Sequence, residues 1–150
     1  MNKAEKITMV DIWEIKPNPR NRNKHSDAQI ARLISIMRVQ GFRNPLIVSN
    51  QSGLVVAGHG RLMAAIKLGL EKVPVMFQDF DSEELEYAHM VADNAISLWA
   101  ELDLAGINFD LPSLGPDLDL DLLGIKNFLL EPAEKEKKIH VCPHCGNHFS

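Results

Sequence analysis

The stretch VVAGHGRLMAAIKLGL, Val55–Leu70, decides the fold. Three apolar residues run into Gly58-His59-Gly60-Arg61. Leu62, Ala65 and Ile66 then recur at helical spacing until Gly69 stops the run. That order reads as strand, glycine turn and helix. A strand that enters a helix through such a turn leaves the first helical amides without intrahelical partners, at the positive end of the helix dipole. The arrangement suits an anion, phosphate above all. Gly58 and Gly60 let a ligand approach the backbone, and Arg61 can fork onto phosphate oxygens. His59 can donate to a phosphate or act as acid or base. The same four residues also read as ordinary turn glycines beside a solvated arginine.

Outward from the turn, the elements alternate. ITMVDIWEI, Ile7–Ile15, alternates like a strand. KPNPRNRNK, Lys16–Lys24, is a loop with two prolines and four basic residues. Ser26 or Asp27 caps a helix with Ile30, Leu33, Ile34 and Met37 on one face and Gly41 at its end. Leu46–Ser49 and Leu54–Ala57 form a hairpin about the turn Asn50–Gly53. KVPVMFQDF, Lys72–Phe80, is a further buried strand. Ser82–Leu102 is a helix whose capping box is one step off the ideal spacing. Glu83, Glu84 and Glu86 read as its solvated start, and Trp13 and Trp99 as packing anchors. The fold class is α+β, a small mixed β-sheet with packed helices.

Composition narrows the function. The chain has 150 residues, is 45% hydrophobic and carries a net charge of −4. That fits one domain with appendages and argues against a polycation that coats nucleic acid, while the early cluster Arg20, Arg22, Lys24, Arg32, Arg38 and Arg43 allows a basic patch. No apolar run has the length of a membrane span, and the N-terminus lacks an apolar signal core. A cytoplasmic setting is expected. Segment 104–132 is a leucine- and aspartate-rich connector, 133–138 a charged linker, and 139–150 a zinc-knuckle-like tail. In the tail, Cys142 and Cys145 have knuckle spacing, and His148 with His140 or His144 can complete a Zn²⁺ site. A site shared between two chains, or an inert or redox CxxC pair, are the other readings.

Several stretches together resemble the ParB-like N-terminal domain of the ParB/sulfiredoxin superfamily: NPRNRNKHSDAQIARLISIMRVQGFRNPLIV, then VVAGHGRLMAAIKLGLEKVPVMF, then ADN in the following helix. The resemblance covers about Ile7–Leu102, so the domain is taken as residues 1–103. AGHGR and ADN look most like the versions found in phage and prophage DNA-modification proteins, often joined to a DNA methyltransferase. The resemblance implies a nucleotide or nucleic-acid phosphate at Gly58, His59, Gly60 and Arg61, with Arg20 and Arg22 closing over it. It implies Asn94 assisting through Mg²⁺, with CTP or ATP as the nucleotide. Ser97 stands where an arginine is expected three residues after Asn94, which departs from the CTP-switching pattern. His59 and Gly60 replace the cysteine a sulfiredoxin would carry.

The implied function is a DNA-associated module of a phage-type modification or partition system. Its partners would be DNA, a methyltransferase or other phage protein, and in one arrangement a second copy of the chain. One alternative is a Mg²⁺-dependent nuclease or nucleotide hydrolase using His59 and Asp93. Another is an interaction module for a methyltransferase, since no methyltransferase motif occurs in this chain. His25, in the basic loop, reads as a polar loop residue.

Overall fold

A computed structural model describes residues 6–126 and the short strands His140–Val141 and His148–Phe149. Strands β1 (Ile7–Asp11), β2 (Leu46–Ser49), β3 (Val55–Ala57) and β4 (Lys72–Gln78) form one sheet in the order β1-β4-β2-β3. The sheet is mixed. β4 runs antiparallel to β1 and parallel to β2, and β2 pairs antiparallel with β3. A parallel pair needs a crossover, and β3 with helix α2 (His59–Leu68) supplies it. The turn of interest therefore lies inside that crossover.

The core explains the order. Leu46, Val48, Val55, Val73 and Val75 from the sheet pack with Leu62 and Ala65 of α2 and with Ile12. The opposite side of α2 presents Ala64 to Ile30 and Met37 of α1 (Asp27–Gln40). Alanine at positions 64 and 65 lets α2 fit between sheet and α1, since a larger side chain would force the layers apart. α1 starts where Ser26 Oγ accepts from Gln29 N–H at 3.2 Å, and ends at Gly41. α3 (Glu83–Ser97) packs beside β3, and Ser82 Oγ accepts from Leu85 N–H at 3.3 Å. A Ser82→Ala variant should lose about 1 kcal/mol by urea denaturation, the usual cost of an N-cap.

The structure departs from the sequence reading in several places. The strand expected over Ile7–Ile15 stops at Asp11, whose carboxylate accepts from Trp13 N–H and turns Ile12–Glu14 into a 3-10 helix. Trp13 is thereby turned outward and is 82% exposed, and Trp99 is 79% exposed, so neither anchors the packing. The helix expected to reach Leu102 ends at Ser97, whose hydroxyl donates to the Asn94 carbonyl. Glu86 is not part of a solvated helix start. It is 5% exposed and accepts from the Ser52 hydroxyl at 2.8 Å, tying α3 to the hairpin turn.

Residues 6–101, joined by Asp119–Ile125, make one compact unit; Arg32 reaches Asp121 within it. A second unit begins at Leu102 and contains α4 (Leu104–Asp110), capped by Asp103, and a 3-10 turn at Leu111–Leu114. Also in it, β5 (His140–Val141) pairs antiparallel with β6 (His148–Phe149). Cys142 and Cys145 of the expected zinc site, and the linker 133–138, lie outside the described residues. Among the described residues, no group of three or more His, Cys, Asp or Glu side chains is placed to hold a metal ion. None of their helices is long and apolar enough to cross a membrane.

Candidate functional site

The site is built on the start of α2. Gly58 holds φ +100° and ψ 22°, the left-handed region, and offers the helix no side-chain cap. Its own carbonyl accepts from Leu62 N–H at 2.9 Å. A Cβ at this position would lie 2.7 Å from Leu46 Cδ2, so only glycine fits the turn as it packs. An uncapped first turn leaves amide donors directed away from the helix.

The loop Lys16–Lys24 is pinned across this turn. The Lys16 carbonyl accepts from Val55 N–H at 2.9 Å, and Asn18 N–H donates to His59 Nε2 at 3.2 Å. Asn18 and Asn21 then fold the chain locally by accepting from Arg20 N–H and Asn23 N–H. The Asn23 amide donates to Asn94 Oδ1 at 3.0 Å, and Asn94 Nδ2 donates to the Met90 carbonyl at 3.0 Å. The loop thus spans from the α2 turn to α3. Together they border a half-open cavity of about 370 Å³ lined by Gly58, His59, Gly60, Arg61, Asp93 and Asn94, and by Asn23, His25 and Gln29.

Arg61 projects into this cavity region half-buried. One terminal nitrogen donates to the Pro45 carbonyl at 3.3 Å, while its Nε is shielded and has no partner. Burial pulls its guanidinium below the usual value, and the Asp93 carboxylate opposes that shift. An arginine stays charged even so, and an orphan buried donor calls for an acceptor.

His59 is buried, and its Nε2 is already an acceptor, so the neutral ring carries its proton on Nδ1. Burial first, then the charge of His25, hold it below the ordinary imidazole value. The unfolded chain therefore binds this proton first. His59 contributes stability above about pH 6.5, and that contribution falls away as pH drops through the lower folded value. Urea midpoints should decrease between about pH 7.5 and about pH 5.5, and the decrease should shrink in His59→Gln.

The structure brings Gly58, His59, Gly60, Arg61, Asp93 and Asn94 to one cavity. It does not bring Arg20 there. That guanidinium bonds Glu83 at 2.7 Å and lies 4.5 Å over the Tyr87 ring, in a separate depression shared with Asn18, Ser52 and Glu86. Arg22 lines a neighbouring depression of about 420 Å³ with Asn94, Met90 and Leu98. His25, read from sequence as a plain loop residue, lies against Gly60 and lines the cavity.

Comparison with known proteins agrees with this architecture. The family model of the ParB N-terminal domain matches residues 1–94. The ParB-like nuclease domain-containing protein YnaK of Escherichia coli is 36% identical over 76 residues, 51% of this chain and 86% of that protein. The chromosome-partitioning protein Spo0J of Thermus thermophilus is 34% identical over 86 residues, 55% of this chain and 32% of that protein. This chain thus spans about a third of the length of that partitioning relative. Truncated ParB of Caulobacter crescentus, solved with CTP-γ-S, superposes with a TM-score of 0.63 at 22% identity over 73% of this chain and 63% of that one. The Pnob8-like ParB-N domain gives 0.53 at 21% identity, over 76% and 49%. At these identities the solved structures show a shared fold.

Proposed function

The chain belongs to the ParB N-terminal domain family, and on that footing we propose that it is a DNA-associated module that holds a nucleotide or nucleic-acid phosphate at the Gly58–Arg61 turn. One observation carries the reading: the uncapped start of α2 and the Arg61 side chain line the same cavity, with Arg61 Nε unpaired. The amides of the first turn and the guanidinium would converge on one phosphate group. His59, held below the ordinary imidazole value first by burial, accepts from Asn18 N–H and so fixes the loop over the turn, leaving the charge to Arg61. Contact with phosphate alone would give salt-sensitive binding without sequence readout.

CTP is the first nucleotide to test, because the Caulobacter relative was solved with its thio analogue; ATP and a short DNA duplex are the comparisons. Magnesium fits the residues present as a companion of the nucleotide. It is commonly held by one or two carboxylates plus phosphates and waters, and Asp93 is the carboxylate lining the cavity. Asn94 serves first to hold the loop, since its Oδ1 accepts from Asn23. Hydrolysis by His59 and Asp93 is the weaker reading, because His59 Nε2 is already engaged.

The phage-modification setting and a methyltransferase partner rest on AGHGR, ADN and the leucine-aspartate segment, and co-purification from the host tests them. Zinc at Cys142, Cys145, His148 and His140 rests on spacing, and the metal content of protein purified without added zinc tests it. The deciding experiment for the site is calorimetric titration with CTP, ATP and duplex DNA in the presence of Mg²⁺, beside an Arg61→Ala control. Nucleotide binding that the control loses supports the cradle. Absence of any binding by folded protein overturns it.

A further inference from the structure

We propose that His25 is a ligand-contacting residue of this cavity, that its Nε2–H donates to the bound phosphate, and that phosphate binding takes up a proton there. This rests on the phosphate reading above and deepens it.

Three observations meet at the ring. A Cβ on Gly60 would lie 3.0 Å from His25 Cε1 and 3.1 Å from Nδ1. Gly60 is not in the left-handed region, so its bareness serves a different end from that of Gly58. It admits the imidazole against the first turn of α2. Second, His25 Nδ1 pairs with Gln29 Oε1 at 3.1 Å. A carbonyl-type oxygen is an acceptor, so Nδ1 carries the hydrogen and the neutral ring leaves Nε2 as a bare acceptor. Third, Nε2 is shielded from solvent and has no partner. A shielded acceptor left unpaired is costly. Protonation turns it into a donor, and a donor at this place needs an anion.

Arg61 and His59 face the cavity from α2, Asp93 from α3, and Lys24 precedes His25 in the loop. Arg61 and Lys24 bring positive charge to this end of the loop, and Asp93 brings the one carboxylate that lines the cavity. A phosphate at the turn adds the missing negative charge. His59 does not compete for the proton, because its Nε2 accepts from the Asn18 amide. The proton therefore goes to His25 Nε2, where it forms a charge-assisted hydrogen bond to a phosphate oxygen.

The test is calorimetric titration of the full chain with inorganic tripolyphosphate, in two buffers of different ionisation enthalpy at about pH 7. Wild type is compared with His25→Gln and Gly60→Ala. The proton exchange of tripolyphosphate itself is common to all three and cancels in the differences. We expect wild type to take up more protons than His25→Gln, and affinity to fall roughly tenfold to a hundredfold in the variant. Gly60→Ala, whose new methyl pushes the ring off the turn, should lose the extra proton uptake; that readout, which a methyl crowding the phosphate would not move, decides the question if His25→Gln does not fold. Equal affinity and equal proton uptake in wild type and folded variants overturn the role of His25 while leaving the cradle standing. No binding by wild type overturns the cradle and this inference together.

Discussion

Arg61→Ala should abolish nucleotide binding in calorimetry while the protein stays folded. The guanidinium supplies both a full positive charge and a forked donor to a site whose other nitrogen donors are amides and imidazoles. Losing charge-assisted hydrogen bonds to phosphate costs roughly 1.5–3 kcal/mol each, so two such bonds correspond to at least about a hundredfold in affinity. The cost to the fold is smaller. Within the protein, Arg61 donates to the Pro45 carbonyl at 3.3 Å, and its loss should lower stability by about 1 kcal/mol. Arg61→Lys separates charge from geometry. Lysine keeps the charge and loses the fork, so it should bind at an intermediate affinity. Unchanged binding in Arg61→Ala would make the turn a scaffold and move the search to protein partners.

The elements around the site were legible because their signals are local. Ser26 and Gly41 bracket α1, and Gly58 and Gly69 bracket α2, each by a cap whose chemistry depends on a few neighbouring residues. The glycine turn was legible for the same reason. What sequence could not supply was the direction of the loop and the fate of single side chains. Arg20 and Arg22 read alike as basic loop residues. Asn18 and Asn21 turn the backbone between them, so Arg20 goes to Glu83 and Tyr87 instead of the cavity. His25 meets Gly60 only after α1 packs on α2, a contact 35 positions apart that no spacing rule encodes. Glu86 was hidden among the acidic residues of a helix start, and Ser52, on the hairpin turn, is what makes it a buried one. Trp13 and Trp99 failed in the other direction. Large aromatic surface is usually buried, and both stand where a short turn or a helix end carries them outward.

Gly58→Ala should be the most damaging single substitution at the site, destabilising by about 2–5 kcal/mol in urea denaturation. Two costs add. An L-residue held at φ +100° is strained by roughly 1–2 kcal/mol. The new methyl also meets Leu46 Cδ2 at 2.7 Å and Arg61 Nη2 at 2.9 Å; the guanidinium end of a long side chain can shift, but Leu46 is 0% exposed, fixed between β4, β3 and α2. Such overpacking costs about 1–3 kcal/mol because a close-packed core has no space to yield. Gly69 provides the internal control. It also sits in the left-handed region, at φ +76°, but a Cβ there meets nothing within 4 Å. Gly69→Ala should therefore show the backbone strain alone, about 1 kcal/mol. The difference between the two variants measures how tightly the turn is pressed onto the sheet. Leu46→Val in the Gly58→Ala background should recover part of the loss, giving a non-additive double-mutant cycle. If Gly58→Ala costs no more than Gly69→Ala, the turn is not held against Leu46. The amides of α2 would then lack the rigid backing that a preorganised phosphate site requires.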